Sequence, residues 1–289
     1  MTKKPISRRK VPMFDKTPGM AIIVLSADKD MPSLKTLLSL AGYDPSAGAG
    51  LLLDLSVFQR LGFHGIGVVT ALTVQNTRSV AGVYVIRAGQ VNEQYRTLKK
   101  DLDPAGLKVG MAGSLENLRL IGGILAENPR VPKVIDPVFR SSSGSWLLEP
   151  RALSEFLAAI MGRASVLTPN LNEAALLTGQ RVRTLDDMHR AANLLYEKTG
   201  VPCLVKGGHL RGPITDLLFD GRTHRLYRHR RSAKDVHGTG CFLSASLLGF
   251  LALGYSLPRA CGLAIGLTQR AIHKARRPGR GRSVIGFPL

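Results

Sequence analysis

Apolar runs and amphipathic stretches alternate along most of this 289-residue chain. TLLSLAG (36–42) is a short apolar run of strand composition. The turn-rich YDPSAGAG separates it from LLLDLSVFQRLG, whose apolar spacing predicts a helix ended by Gly62. GIGVVTAL, LKVGMA, PKVIDPV, SVLTPN and VPCLVKGG read as further strands. Between them QVNEQYRTLKKD, LENLRLIGGILAEN, ALSEFLAAIM, LNEAALLTG and TLDDMHRAANLLYEKTG carry helical spacing. Thr184, with Asp187 three residues on, marks the start of the last of these, and Gly179 ends the one before it. ITDLLFDG and THRLYRHRR predict a late hairpin, and residues 238–253 an apolar helix. An earlier run, AIIVLSA (21–27), also has strand composition, as an extra edge strand or part of an N-terminal extension.

Strands alternating with helices predict βαβ units, hence an α/β fold whose mostly parallel sheet is covered by helices on both faces. The longest apolar stretch, Cys241 to Leu257, is broken by Ser, Gly and Tyr, which favours a buried helix over a membrane span. In parallel sheets ligands bind beyond the carboxyl ends of the strands. The chemically suggestive residues fall at those ends: Gly42 to Asp44, Gln75, Met111, Asp136, Asn170, Lys206 and Gly238 to Cys241. That clustering points to an enzyme rather than a scaffold.

Charge changes the picture at the ends of the chain. The formal net charge is +20, with six Lys/Arg in the first 16 residues, six from Arg222 to Lys234 and six after Gly266. Such a surface favours anionic partners. No aromatic-interleaved basic motif accompanies it, so a solvated surface is favoured over nucleic-acid binding. Residues 1–19 read as a basic, flexible arm, 20–270 as a single domain, and 271–289 as a basic C-terminal tail. Cys203, Cys241 and Cys261 form no CxxC pair and no metal-ligand spacing, and the N-terminus lacks an apolar signal-peptide core. Both features predict a cytoplasmic protein.

HGTGC (237–241) opens the apolar helix. Glycines at a helix start let the backbone approach a ligand, the first free N–H groups point at it, and the helix dipole favours an anion. A cysteine in that first turn is expected to have its thiolate favoured by the same field and to serve as a base towards a hydroxyl. Lys206, before two glycines at a strand end, is placed for a nucleotide phosphate. Asp136 offers a carboxylate at another strand end, and Asn170 and Glu173 in TPNLNEA offer hard oxygens suited to Mg²⁺, often through water, or simple helix capping. Neither GxxxxGK[ST] nor GxGxxG occurs, which speaks against a P-loop and a dinucleotide-dependent oxidoreductase.

The ordered set AGYDPSAGAGLLLDL, VVTALTVQNT, KVGMAGS, VIDPV, TPNLNEA, VKGGH and HGTGC resembles the hydroxymethylpyrimidine/phosphomethylpyrimidine kinase family of thiamine biosynthesis, within the ribokinase-like superfamily. The resemblance runs from about residue 36 to 265. It implies ATP-dependent phosphorylation of the hydroxymethyl group of 4-amino-5-hydroxymethyl-2-methylpyrimidine, and then of its monophosphate. It places Asp54 and Gln75 against the pyrimidine, with Gly42, Thr73 and Met111 lining the same pocket. A carboxamide such as Gln75 can accept from a ring amino group and donate to a ring nitrogen. The resemblance also implies phosphate contact by Lys206, and Mg²⁺ and phosphate organisation by Asp136, Asn170 and Glu173. Gly238, Thr239 and Gly240 match an anion hole and Cys241 the catalytic base; relatives are commonly homodimers. The chain departs from the family pattern at Tyr43, Ala47-Gly48, Leu52-Leu53, Phe139, Ser142-Ser143 and Asn172, mostly near the substrate pocket rather than the phosphate machinery. A pyridoxal or pyridoxine kinase is the alternative, since its substrate also carries a hydroxymethyl on a flat heteroaromatic ring. A catalytically silent pyrimidine-binding regulator is the other.

Overall fold

The computed structural model describes residues 34–140, 144, 146–149, 152–208, 210, 214–232 and 234–287. Its first half runs β1 (Thr36–Tyr43), α1 (Gly50–Arg60), β2 (His64–Gln75), β3 (Val80–Val85), α2 (Ala88–Lys99), β4 (Pro104–Val109), α3 (Leu115–Glu127) and β5 (Lys133–Ile135). Then follow α4 (Leu153–Ile160), β6 (Val166–Leu167), α5 (Leu171–Thr178), α6 (Leu185–Thr199) and β7 (Cys203–Val205). The chain continues through β8 (Ile214–Phe219), β9 (His224–His229), β10 (Val236–His237), α7 (Thr239–Ala252), α8 (Leu257–His273) and β11 (Ser283–Val284). The arm 1–19 and the strand-like run 21–27 lie outside the described residues.

Nine strands form one sheet in the order β3-β2-β1-β4-β5-β6-β7-β8-β9. The six from β2 to β7 pair in parallel, while β3 lies antiparallel at one edge and the β8–β9 hairpin closes the other. Period-two alternation sends successive side chains to opposite faces. Val134, Val166 and Leu204 therefore enter one core, with α1, α7 and α8. Their neighbours Ile135, Leu167 and Val205 enter the other, with α2, α3, α4 and α6. The α7 segment from Phe242 to Gly249 is buried all round, which explains its lack of a polar face. Among the described residues no helix is long and apolar enough to cross a membrane.

Local signals set several boundaries. Thr184 and Asp187 form a reciprocal capping box at the start of α6. Gly179 ends α5 in the left-handed conformation, at φ 74°.

Three features differ from expectation. β2 continues to Gln75 and pairs with β3, a strand that the apolar pattern does not isolate because both faces of the ribbon are partly exposed. The helix α8 packs along α7 and begins with Pro in its first turn, a start signal that the sequence reading passes over. The described part of the basic tail, residues 271–287, is part of the domain, because apolar and hydrogen-bonding partners wait for it. β11 pairs in parallel with β10, and Arg276 and Val284 exchange backbone hydrogen bonds. Ile285 is buried, the Phe287 ring lies 5.8 Å from that of Phe242, and Arg60 stacks over Phe287. The backbone N–H groups of Gly281 and Arg282 donate to the Thr77 hydroxyl and carbonyl, and Arg282 pairs with Asp235.

Candidate active site

A cavity of about 1290 Å³ opens at the carboxyl ends of the parallel strands. Gly42, Thr73, Gln75, Met111, Asp136, Asn170, Glu173, Lys206 and the run Gly238 to Cys241 all border it. Asp54 does not.

At one end of the cavity, Gly238 is the N-cap of α7 at φ 82°, and a Cβ there would overlap the Gly48 carbonyl oxygen. Only glycine meets both demands. No side chain caps α7, so the first-turn amides of Thr239, Gly240 and Cys241 are left for a ligand. Lys206 follows β7 and donates to Asp136 Oδ1 at 2.8 Å. Asp136 also accepts from Thr168 (3.2 Å) and Ser244 (3.4 Å). Burial opposes ionisation of Asp136, but Lys206 and Lys108 outweigh it and hold the carboxyl below its usual range. In turn Asp136 and Glu173 keep Lys206 protonated against burial.

Asn170 caps α5 by accepting from the Glu173 N–H at 2.9 Å, and Glu173 Oε2 accepts from the Asn170 N–H at 2.7 Å. Burial, reinforced by Asp136, pushes the Glu173 carboxyl up to about 7. Among the described residues no three His, Cys, Asp or Glu gather as a metal cluster. The fit to Mg²⁺ is that of a nucleotide-borne ion, bound through phosphate oxygens and water. Asp136 and Glu173 are the carboxylates bordering that part of the cavity, and each is engaged within the protein, Asp136 by Lys206 and Glu173 by the Asn170 N–H.

Cys241 is half-buried at the cavity wall. Here the expected preference for thiolate is overturned. Burial outweighs the attraction of Lys108 and of the Gly50 N–H, and pushes the thiol up to about 11.

Also on the cavity, Gly42 and Met111 touch so closely that a Cβ on Gly42 would lie 2.9 Å from Met111 Sδ. Thr73 donates to the Tyr43 carbonyl at 2.9 Å. Gln75 Nε2 donates to Asp44 Oδ2 at 3.1 Å and lies 2.9 Å from His237 Nε2, which is itself 3.1 Å from Asp44 Oδ2. Asp44 Oδ1 accepts from both the amide and the hydroxyl of Ser46. Burial resists ionisation of Asp44, yet His237 and Ser46 hold it below the usual carboxylate range.

Asp54 is fully buried beneath this floor, with Lys108 Nζ and Ser39 Oγ each 2.7 Å from its Oδ2. One turn into α1 its side chain meets β1 and β4 instead of a ligand. The sequence reading passes over Lys108, Thr168 and Ser244, and it counts Asp44 and His237 among its strand-end and HGTGC residues without giving them a role. A lysine inside the apolar LKVGMA is the one available signal, because buried lysines are rare unless paired.

The Phosphomethylpyrimidine kinase family matches residues 44–285. A hydroxymethylpyrimidine/phosphomethylpyrimidine kinase of Rhizobium meliloti (strain 1021) is 40% identical over 254 residues, covering 86% of this chain and 95% of the relative. Among solved structures, the pyridoxal kinase from Staphylococcus aureus in complex with pyridoxal is similar with a TM-score of 0.80 at 28% identity, over 88% of this chain and 93% of that one. The phosphomethylpyrimidine kinase from Clostridium difficile 630 gives a TM-score of 0.73 at 33% identity, over 82% and 99%. With a ribokinase-like sheet, an uncapped glycine turn facing a lysine, and similarity over nearly the whole described domain, the chain is a phosphotransferase and belongs to the phosphomethylpyrimidine kinase family.

Proposed function

We propose that the protein transfers the γ-phosphoryl group of ATP to the hydroxymethyl group of 4-amino-5-hydroxymethyl-2-methylpyrimidine, and then transfers a second to the monophosphate. The polarity of the Gln75 amide carries this reading. With its nitrogen held by the Asp44 carboxylate, Gln75 presents its carbonyl oxygen to a ligand. A carbonyl acceptor suits the exocyclic amino group of an aminopyrimidine and repels the phenolate of pyridoxal. The higher TM-score with pyridoxal kinase favours the alternative substrate at the level of the backbone, which the side chain of Gln75 opposes.

In the transfer, the hydroxymethyl oxygen bonds to the γ-phosphorus as the bond to the bridging oxygen of ADP breaks. The proton of the hydroxyl passes to Cys241 in its minor, thiolate form, since burial keeps the resting thiol protonated. Positioning and charge stabilisation dominate phosphoryl transfer. Lys206 and the free first-turn amides of α7 supply that charge, and the base adds about 10²-fold to 10⁴-fold. Mg²⁺ bound with the nucleotide, on the Glu173 side, would neutralise phosphate charge. The intact Lys206, Asp136, Glu173 and GTGC set argues against a silent regulator. We further propose a cytoplasmic homodimer; the exposed Leu72, Val74 and Tyr84 of the β2–β3 ribbon support an apolar contact between copies.

The test compares product formed from MgATP with hydroxymethylpyrimidine, its monophosphate and pyridoxal. Turnover of both pyrimidines is expected. Turnover of pyridoxal alone would move the assignment to the alternative, and pyrimidine binding without any turnover would sink the kinase reading.

A further inference from the structure

The loop from Arg277 to Arg282, between α8 and β11, is fastened to the turn that follows β2. Thr77 holds it twice, accepting from the Gly281 N–H on its hydroxyl (3.1 Å) and from the Arg282 N–H on its carbonyl (2.8 Å). A Cβ on Gly281 would lie 2.0 Å from that carbonyl oxygen and 2.6 Å from the Arg78 nitrogen, so only glycine permits the approach. Asn76 Oδ1 fixes the turn itself by accepting from the N–H groups of Arg78 (2.8 Å) and Ser79 (3.1 Å). These ties gather Arg78, Arg277, Arg280 and Arg282 around a second cavity of about 500 Å³. Among the described residues, Asp235 is the one carboxylate in its wall. Arg282 occupies Asp235 with two hydrogen bonds, from Nε at 2.9 Å and from a terminal nitrogen. Arg277 directs Nε and one terminal nitrogen to the carbonyls of Gly281 (2.8 Å) and Arg280 (2.9 Å). Among the described residues no carboxylate pairs with Arg78, Arg277 or Arg280.

Like charges held together in this way repel one another until an anion neutralises them. Guanidinium groups match phosphoryl oxygens in bidentate pairs, and the volume is that of a small-ligand site. Position narrows the ligand further. Arg78, Asp235 and Arg282 border the catalytic cavity as well, so the two cavities share a rim. Arg78 follows Gln75 by three residues, and Val284, two residues after Arg282, pairs with His237. The phosphates of ATP already have Lys206 and the first-turn amides of α7. Of the two pyrimidines in the proposed reaction, hydroxymethylpyrimidine is uncharged and its monophosphate is an anion. We infer that the arginine pocket is a separate phosphate site, which takes the phosphate monoester of the second-step substrate at the cavity rim before its ring reaches Gln75. The identity of the ligand rests on the reaction proposed above, whereas the existence of the site does not. Capture by charge at a rim raises the local concentration of the anionic substrate and leaves the neutral one unaffected.

The experiment compares the full chain with two double variants. Arg78→Ala/Arg280→Ala removes two pocket guanidinium groups and leaves in place every loop tie just described. Arg181→Ala/Arg183→Ala removes the same charge from residues that border neither cavity. Equilibrium dialysis with labelled inorganic phosphate, under Mg²⁺ and a saturating non-hydrolysable ATP analogue, reads the site directly. Wild type and the Arg181/Arg183 control are expected to bind a single phosphate saturably, and the rim variant to lose at least about tenfold in affinity. Steady-state kinetics then identify the occupant. The rim variant is expected to raise KM for the monophosphate about tenfold, with its kcat, and both parameters for hydroxymethylpyrimidine, within about twofold of wild type. No phosphate bound beside the analogue, equal binding by the rim variant, or equal losses in the control overturns the inference. So does an unchanged KM for the monophosphate in an enzyme that phosphorylates it, because the occupant would then be free phosphate. Phosphate bound at the rim and lost with the arginines, in a protein that phosphorylates neither pyrimidine, would keep the site and overturn the proposed reaction instead.

Discussion

Two lysine–aspartate pairs stand beneath one cavity, and their surroundings give them opposite duties. Lys206–Asp136 lies at the cavity wall, with 15% of the lysine side chain exposed and with Thr168 and Ser244 sharing the aspartate. Lys108–Asp54 is sealed, with no exposure on either side chain and one carboxylate oxygen orphaned. The first pair can exchange its internal contact for a phosphate. The second offers no exposed side-chain surface, although Lys108 borders the cavity. Coulombic influence extends a few ångströms through low-dielectric protein with little screening, whereas binding requires a surface.

The sharpest break in this comparison comes from Cys241, where the two fields meet. Cys241→Ala is expected to slow the first phosphoryl transfer by about 10²-fold to 10⁴-fold while leaving nucleotide affinity within about twofold. The second transfer uses a phosphate oxygen that is already anionic, so its loss is expected to stay under about tenfold. Separate single-turnover measurements on the pyrimidine and its monophosphate check this, and equal losses would deny Cys241 a proton-accepting role. Because the thiol sits at about 11, the rate of the first step is also expected to rise with pH from 7 to 9.

Removing the sealed lysine attacks the fold. Lys108→Met leaves Asp54 a lone buried carboxylate and is expected to cost about 3–5 kcal/mol in a urea titration. Lys206→Met should cost distinctly less, since Thr168 and Ser244 still donate to Asp136. Its expected loss lies in catalysis instead, about 10²-fold to 10³-fold in kcat/KM for both transfers. A reversal of these two outcomes would erase the distinction between the pairs.

The smallest effect concerns Glu173, which burial lifts from an ordinary 4.5 to about 7. Since its folded value is raised, its favourable contribution is complete below about 4.5 and is lost as pH rises through 7. Glu173→Gln is therefore expected to raise Tm at pH 8, by on the order of 1 kcal/mol of stability, and to change little at pH 4.5. MgATP should narrow the gap at pH 8 by favouring the carboxylate. Thermal scans at the two pH values, with and without MgATP, check both points.

Much of this architecture is legible in the sequence because local rules agree with the fold. Gly62, Gly179 and the Thr184–Asp187 box end or begin helices for reasons contained within a few residues. The alternation of strands and helices likewise predicts the strand-end cavity. What is not legible depends on contacts between distant segments. β11 has only two residues, and its pairing with β10 gives it an identity that composition does not. Asp54 lies beside substrate-pocket residues in sequence, yet helical phase turns it towards Lys108, 54 residues later. His237 has no role within HGTGC alone; its partners Asp44 and Gln75 are 193 and 162 residues away.

The contact between Gly281 and Thr77 spans 204 residues of chain. Loop closure over such a span comes late, after nearer pairings have shortened the path. β1 can acquire α1, β2 and β4 from a stretch ending near Val109, and most of the sheet follows in order. The rim that holds Thr77 and flanks His237 awaits residues 276–287. During synthesis, therefore, a nascent chain already carrying Gln75, Asp136 and Lys206 would remain an incomplete catalyst. The turn before α7 gains its second strand only when β11 has cleared the ribosome and docked.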